Sequence, residues 1–372
     1  MYFKIYHKNY NSNARIGYFL TDHGKVNTPI FMPIATKGYI KTLTKEYLDL
    51  INPEIILSNT FHLNINPGIK ILYKVGGLHK FINWKNPIIT DSGGFQVYSL
   101  SNPNNINKYG ANIKSYKNGK YYFFTPKKSI IIQKYIGSDI VTSFDECIKF
   151  NSDKKYVINS TNRTYNWLKE CIYYFNKYNL YKHKQYLFGI IQGGIHKDIR
   201  IKYTIKTSKL NIDGFAIGGL QVGETKEEMY NIIKNVKNNL PYNKPIYLMG
   251  IGMPWDILNS ISLGIDMFDC VIPTRNGRNG MLFTWKGIIN IKNKKWKYDY
   301  SSIYNNFNNK KIYSKSYLRH LFINNEYSGK LIATINNLLF YKSLIKKSRY
   351  HIKNDTFEKW KNNIIPIISK KL

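Results

Sequence analysis

Acidic side chains are scarce in this 372-residue chain, where 22 Asp and Glu stand against 56 Lys and Arg for a formal charge of +34. So positive a field favours polyanions, and tRNA, rRNA, DNA or an anionic membrane surface are all candidate partners. The chain is also rich in Lys, Asn, Ile and Tyr, a bias that AT-rich genomes produce without selection for binding, so charge supports a nucleic-acid partner without establishing one. Cysteine is nearly missing: Cys147, Cys171 and Cys270 are far apart, which excludes a disulfide scaffold and fits a reduced cytoplasmic compartment. No apolar run approaches 18 residues, which excludes a membrane-spanning helix. The opening "MYFKIYHKNYNSNARIGYFL" lacks an uninterrupted apolar stretch, so no secretory signal is expected. A fixed-period repeat is also missing, which excludes a solenoid.

A hydrophobic content of 43% is enough for a sizeable core and excludes wholesale disorder. Short apolar runs recur with helix-length polar segments between most of them: "PIFMPIA" (29–35), "EIILSN" (54–59), "PIITDSGG" (87–94) and "SDIVTSFDEC" (138–147). They continue with "YLFGIIQGG" (186–194), "GFAIGGL" (214–220), "PIYLMGIG" (245–252) and "DMFDCVIP" (266–273). Continuous rather than alternating hydrophobicity marks strands buried on both faces, as in a parallel sheet. Eight of them point to an α/β fold of the (β/α)8 barrel type, with a doubly wound sheet as the alternative. Residues 1–286 are expected to form the barrel, with an inserted loop near 101–135. A small appended subdomain is expected over 287–345 and a closing helix over 346–372.

The ends of these runs carry the chemistry. The third closes on Asp91, the fourth on Asp145, the fifth on Gln192, the sixth on Gly218-Gly219, the seventh on Gly250 and Gly252, and the eighth on Asp269. In a parallel barrel these ends share one face, where active sites sit. Each residue alone reads as a helix cap or a turn, but six in register do not.

Taken in order, "TDSGGFQVYSL", "SDIVTSFDEC", "FGIIQGG", "GFAIGGLQVGE", "YLMGIGMPWD" and "GIDMFDCVIPTRNGRNG" resemble the signatures of the bacterial tRNA-guanine transglycosylases, also called queuine tRNA-ribosyltransferases. The likeness covers roughly residues 30 to 340. It implies a (β/α)8 barrel that exchanges guanine at the wobble position of GUN-anticodon tRNAs (Asp, Asn, His, Tyr) for a deazaguanine. By the same resemblance Asp269 is the nucleophile toward the ribose anomeric carbon, and Asp91 is the proton acceptor and donor. Asp91, Ser92, Gly93, Gly94, Phe95, Asp145, Gln192 and Gly219 would then bind the base. RNA contacts would come from Gly250, Ile251, Gly252, Met253, Pro254, Trp255 and Asp256, together with Thr274, Arg275, Asn276, Gly277 and Arg278. Val222 and Cys147 resemble the bacterial pattern, which implies 7-aminomethyl-7-deazaguanine (pre-queuosine-1) as the incoming base. The resemblance also implies a homodimer and a cytoplasmic enzyme that takes tRNA and a free guanine or deazaguanine base.

Those residue types suit the chemistry. Breaking an N-glycosidic bond builds oxocarbenium character that a carboxylate stabilises and traps, and two displacements at one carbon need a separate proton shuttle. A purine edge offers N–H donors to Asp145, and a carbonyl to Gln192 or a backbone N–H.

Two departures from the family stand out. Its structural zinc site near the C-terminus uses three cysteines and a histidine, yet no Cys or His lies between Trp296 and Tyr317, and Asn336 stands at the histidine position. His320 reads as a surface or packing residue, so no metal is expected there, and Trp296, Tyr317, Leu318, Leu321 and Phe340 would have to hold the subdomain. Trp255 occupies a place that is usually acidic. A catalytically silent RNA-binding relative would lack the carboxylates kept here, and an unrelated barrel glycosidase would have no use for the two arginines.

Overall fold

The computed structural model describes residues 1–100, 105–115, 119–303 and 313–372. The chain opens with an antiparallel sheet of β1 (Phe3–Lys8), β2 (Arg15–Thr21) and β3 (Gly24–Thr28). Next come β4 (Ile30–Met32), β5 (Ile56–Asn59) and β6 (Ile88–Asp91). A small antiparallel sheet follows, formed by β7 (Ile106–Asn107), β8 (Gly110–Lys114) and β9 (Tyr121–Phe124). The parallel series then resumes with β10 (Ile140–Thr142), β11 (Tyr186–Ile191), β12 (Gly214–Ile217), β13 (Ile246–Leu248) and β14 (Met267–Asp269).

Those eight parallel strands pair in the order β4-β14-β13-β12-β11-β10-β6-β5. The two ends of the series also meet: Ala35 N donates to Leu57 O at 2.7 Å, and Leu57 N donates to Pro33 O at 3.0 Å. A doubly wound sheet keeps two edges, whereas this one closes into a (β/α)8 barrel. Each of the eight apolar runs contains one barrel strand, and from β10 to β14 every strand residue is buried.

The N-terminal sheet plugs the barrel. Phe3, Phe19 and Val26 pack in one cluster with Ile30, Ile89, Ile140, Phe188, Tyr247 and Met267 from the barrel. Arg15 locks the plug through Asp266, just ahead of β14, with Nε at 2.9 Å from Oδ1.

Two boundaries differ from the sequence expectation. The segment 101–135 is not simply a loop, because its described part holds β7–β9 and most of the helix Pro126–Ile136. Residues 101–104 and 116–118 lie outside the described residues. That helix starts where Thr125 accepts Lys128 N–H and Pro126 fills the first turn. Its buried Gln133, bonded to Thr142 N and O, makes the segment look more polar than its position requires.

At the other end, the hairpin β15 (Met281–Thr284) and β16 (Gly287–Asn290) straddles residue 286, and the helix Tyr327–Lys353 runs through residue 345. The reason is packing. Ile332, Ile335, Leu338, Tyr341, Ile345 and Ile352 recur at helical spacing and are buried. Tyr341 meets Phe31 with ring centroids 4.7 Å apart, and Arg349 donates to Pro29 O at 2.9 Å. The helix therefore belongs to the barrel wall, and the closing helix is Phe357–Ser369. A separate small core joins Leu282, Ile289, Ile291, Leu318, Leu321 and Phe322 with partly buried Trp296. Tyr317 is exposed and Phe340 packs in the main core, so neither holds this cluster as expected.

Candidate active site

A cavity of about 480 Å³ opens at the C-terminal ends of the barrel strands. Asp91, Asp145, Gln192, Gly219 and Asp269 all line it, with Ser92, Gly94, Phe95, Gly250 and Arg275. Strand-to-helix turns bring these residues together from β6, β10, β11, β12, β13 and β14.

Asp269 ends β14 and is almost wholly buried. Its Oδ1 accepts the Tyr247 hydroxyl at 2.6 Å and the Gly250 N–H at 2.8 Å. Burial raises its pKa, and these two donors oppose the rise. Both bonds fall on Oδ1, which leaves Oδ2 as the freer oxygen.

Asp91 ends β6. Its Oδ1 accepts Thr60 N at 3.1 Å and Gly93 N at 3.2 Å, and its Oδ2 accepts Asn59 Nδ2. Burial pushes its pKa up to about 7; the three donors work against burial, and the charge of Asp269 adds to it. A group titrating there exchanges protons readily at neutral pH.

Asp145 and Gln192 form a hydrogen-bonded pair in the cavity wall. Asp145 Oδ1 accepts Ser92 Oγ and Oδ2 accepts Gln192 Nε2, each at 2.8 Å. Burial pushes the Asp145 pKa up to about 6. With Nε2 committed to Asp145, Gln192 Oε1 is left buried without a partner. Gln192 thus presents an open acceptor, and the second N–H of its Nε2 amide is not used by the Asp145 bond.

The glycines are steric requirements. A Cβ on Gly94 would lie 1.9 Å from Asp145 Oδ1, and one on Gly219, where φ is +68°, would lie 2.2 Å from Gln192 Oε1. Gly93 also has positive φ, and its N–H serves Asp91. Phe95 stands exposed at the mouth.

Arg275 and Arg278 share the short helix Ile272–Arg278, and neither is ion-paired among the described residues. Arg275 is exposed at the rim and Arg278 is half-buried, its pKa lowered first by burial and then by Arg275. Asn276 lies between them at the surface. Thr274 and Gly277 are buried, and a Cβ on Gly277 would strike the Thr334 backbone at 2.9 Å.

The 250–256 segment divides in the same way. Gly250, Met253 and Trp255 reach the surface, whereas Ile251, Gly252 and Pro254 are buried. Asp256 needs correction as an RNA contact. It is fully buried, paired with Lys226, and accepts the Tyr230 hydroxyl at 2.8 Å. An enclosed anion of this kind joins two helices and cannot reach a phosphate.

Several residues escaped sequence reasoning. Asn59 and Tyr247 orient the two carboxylates from within apolar runs, where nothing in the sequence marks them. Arg200 is fully buried and donates to Ile191 O, Gly194 O and Gly218 O, each at 2.9 Å. It thereby ties the Gln192 turn to the Gly219 turn, and burial pushes its pKa down to about 10. Of the residues the sequence did single out, Cys147 lines the cavity as a neutral thiol, pushed up to about 12 by burial and then by Asp145. Val222 lines it too, with its N–H on Glu224.

The family's zinc does not fit the C-terminal residues. No cysteine follows Cys270. Asn336 is buried and donates to Phe283 O at 3.2 Å and to Asn337 Oδ1, so it is already satisfied. His320 contacts only Asn324 among the described residues, and 304–312 of the expected ligand span lie outside them.

The family model described as queuine tRNA-ribosyltransferase matches residues 10–369. A queuine tRNA-ribosyltransferase of Thermodesulfovibrio yellowstonii is 44% identical, over 100% of this chain and 96% of its own. That of Buchnera aphidicola subsp. Acyrthosiphon pisum is 44% identical over 98% of this chain and 97% of its own, and that of Aquifex aeolicus is 41% identical over the whole of both. With its barrel closed and its carboxylates gathered at one mouth, the chain belongs to the queuine tRNA-ribosyltransferase family, a family of tRNA-guanine transglycosylases.

Proposed function

We propose that this chain removes guanine from the wobble position of GUN-anticodon tRNAs, those for Asp, Asn, His and Tyr, and installs 7-aminomethyl-7-deazaguanine for queuosine synthesis. The observation that carries the reading is the pairing of Asp91 and Asp269 in one cavity with different hydrogen-bond partners. Asp269 Oδ2 attacks the ribose anomeric carbon as the bond to guanine breaks, giving an ester between enzyme and RNA. Asp91 delivers its proton to the departing purine, then accepts one from the incoming base. The base nitrogen displaces Asp269, and two inversions return the original configuration.

Asp145, Gln192 and Gly219 read the purine edge, and Val222 and Cys147 border the cavity where a bulkier substituent would crowd. Arg275 and Arg278 hold phosphates beside the reacting nucleotide, which offsets the few kcal/mol needed to unstack it. The proposal includes a homodimer acting in the cytoplasm and a C-terminal subdomain that folds without zinc. No described helix is long and apolar enough to cross a membrane.

The test is exchange of radiolabelled guanine into a GUN-anticodon tRNA transcript, with a denaturing gel to trap the covalent adduct. Label in these transcripts but not in ones with other anticodons is expected. Tight tRNA binding without exchange would instead support a silent RNA-binding protein.

A further inference from the structure

On the face opposite the catalytic cavity, three histidines gather around one aspartate. Asp139 sits just ahead of β10, fully buried, and its Oδ2 accepts Ile88 N–H at 2.8 Å. His23, in the turn between β2 and β3, places Nδ1 2.7 Å from Asp139 Oδ1. His79, in the helix Leu78–Phe81, places Nε2 3.4 Å from Oδ2 and 3.1 Å from Asn86 O. The His23 and His79 rings lie face to face, with centroids 3.6 Å apart and planes 9° from parallel. His183, in the segment before β11, stands edge-on to His23 at 5.1 Å, and its Nε2 is buried with no hydrogen-bond partner.

Charge makes this cluster unusual. Asp139 is fully buried, and its partners are the Ile88 N–H, His23 and His79. A buried anion needs a cation, and no Lys or Arg among the described residues pairs with it. Two stacked imidazolium rings would repel each other, so the histidines alone supply at most one positive charge.

We propose that His23, His79 and Asp139 form a binding site for a divalent zinc-type cation, with His183 as the adjacent fourth donor. The three ligand atoms already lie within 4.8 Å of one another. Two or three imidazole nitrogens and a carboxylate oxygen are a borderline donor set suited to zinc and its neighbours. Ion binding would replace the hydrogen bonds that His23 and His79 make to Asp139, each imidazole moving its proton to the other ring nitrogen or releasing it. The His23 side chain keeps 25% of its surface exposed, which gives the ion a way in. The bound ion would tie the plug's β2–β3 turn to the barrel floor, a structural cross-link remote from the reaction.

The full-length protein, stripped with a chelator and dialysed against zinc sulfate or cobalt chloride, tests the site. Stoichiometric zinc, visible cobalt absorption and a zinc-dependent rise in the thermal unfolding midpoint are expected. His23→Gln, in an accessible turn, should weaken zinc binding by more than about tenfold and remove most of that rise. His183→Gln should weaken it less, and His320→Gln should change nothing. Guanine exchange should persist in the stripped protein and in His23→Gln, so the outcome is independent of the catalytic reading. No zinc above the dialysate level, equal affinity in His23→Gln, or loss of zinc on changing His320 would each overturn the proposal.

Discussion

Replacing Asp91 by Asn should abolish exchange and make the protein more stable above neutral pH. The wild-type carboxyl has a folded-state pKa of about 7 against 3.8 when unperturbed, chiefly because it is buried. Between those values the folded state holds a proton that the unfolded state has released, so wild-type stability falls as pH rises through that window. At 1.36 kcal/mol per pH unit the full cost of ionising Asp91 is on the order of 4 kcal/mol by pH 8. Asn carries no such cost. Its amide oxygen still accepts from Thr60 and Gly93, but its NH2 meets the Asn59 Nδ2 donor, a mismatch of about 1–3 kcal/mol. The Asp91→Asn protein should therefore be the less stable form near pH 4, by that mismatch, and the more stable form near pH 8, by about 1–3 kcal/mol. Urea midpoints of both proteins measured from pH 4 to pH 8 read the crossing directly. A constant difference across that range would show that Asp91 titrates normally, and retained exchange would remove it from the chemistry.

Further outcomes follow from the same geometry. Asp269→Asn should lose base exchange and the covalent adduct while keeping tRNA affinity, which phosphate contacts dominate; near-normal exchange would reject the nucleophile assignment. Arg275→Ala and Arg278→Ala should each weaken tRNA binding and flatten its salt dependence by a slope of about one, and unchanged slopes in both would deny them phosphate contacts. Arg200→Met strands three buried carbonyls, so the KM for free base should rise about tenfold or more while tRNA affinity holds, with Lys rescuing part of the effect. An unchanged KM would confine Arg200 to a structural role. Chelators should leave exchange intact, and on heating the subdomain around Trp296 and Leu318 should loosen first; chelator-sensitive exchange would point to a metal that the reaction requires.

The barrel was legible because its strands are buried on both faces and so appear as unbroken apolar runs. Asp91, Asp145 and Asp269 were legible because each interrupts such a run at its end. Tyr247 was not, since a tyrosine inside "PIYLMG" looks like core until its hydroxyl is found on Asp269. Helix Tyr327–Lys353 was split at residue 345 because lysines on its outer face obscured the buried stripe that continues to Ile352. Asp256 misled because a motif carries its buried supports alongside its contacts, and sequence alone does not separate them. The histidine cluster was invisible for a different reason: its members are 23, 79, 139 and 183 in the chain and meet only once the barrel closes.

The three cavity acids differ in their partners from the carboxylates at the other end of the barrel strands. At the N-terminal ends of the strands, Asp266 pairs with Arg15, Glu54 with Arg349, and Asp139 with its histidines. At the C-terminal ends Asp91, Asp145 and Asp269 have neutral donors only, and burial raises the pKa of all three. Arg200, buried nearby, spends its donors on carbonyls rather than on these acids. Under the roles proposed above, a cation beside Asp91 would lower its pKa and impair proton transfer near neutrality, and one on Asp269 would weaken its attack on the ribose. In the proposed mechanism the oxocarbenium character of the ribose would supply the missing positive charge as the reaction runs, which assigns transition-state stabilisation to the three acids left without cations.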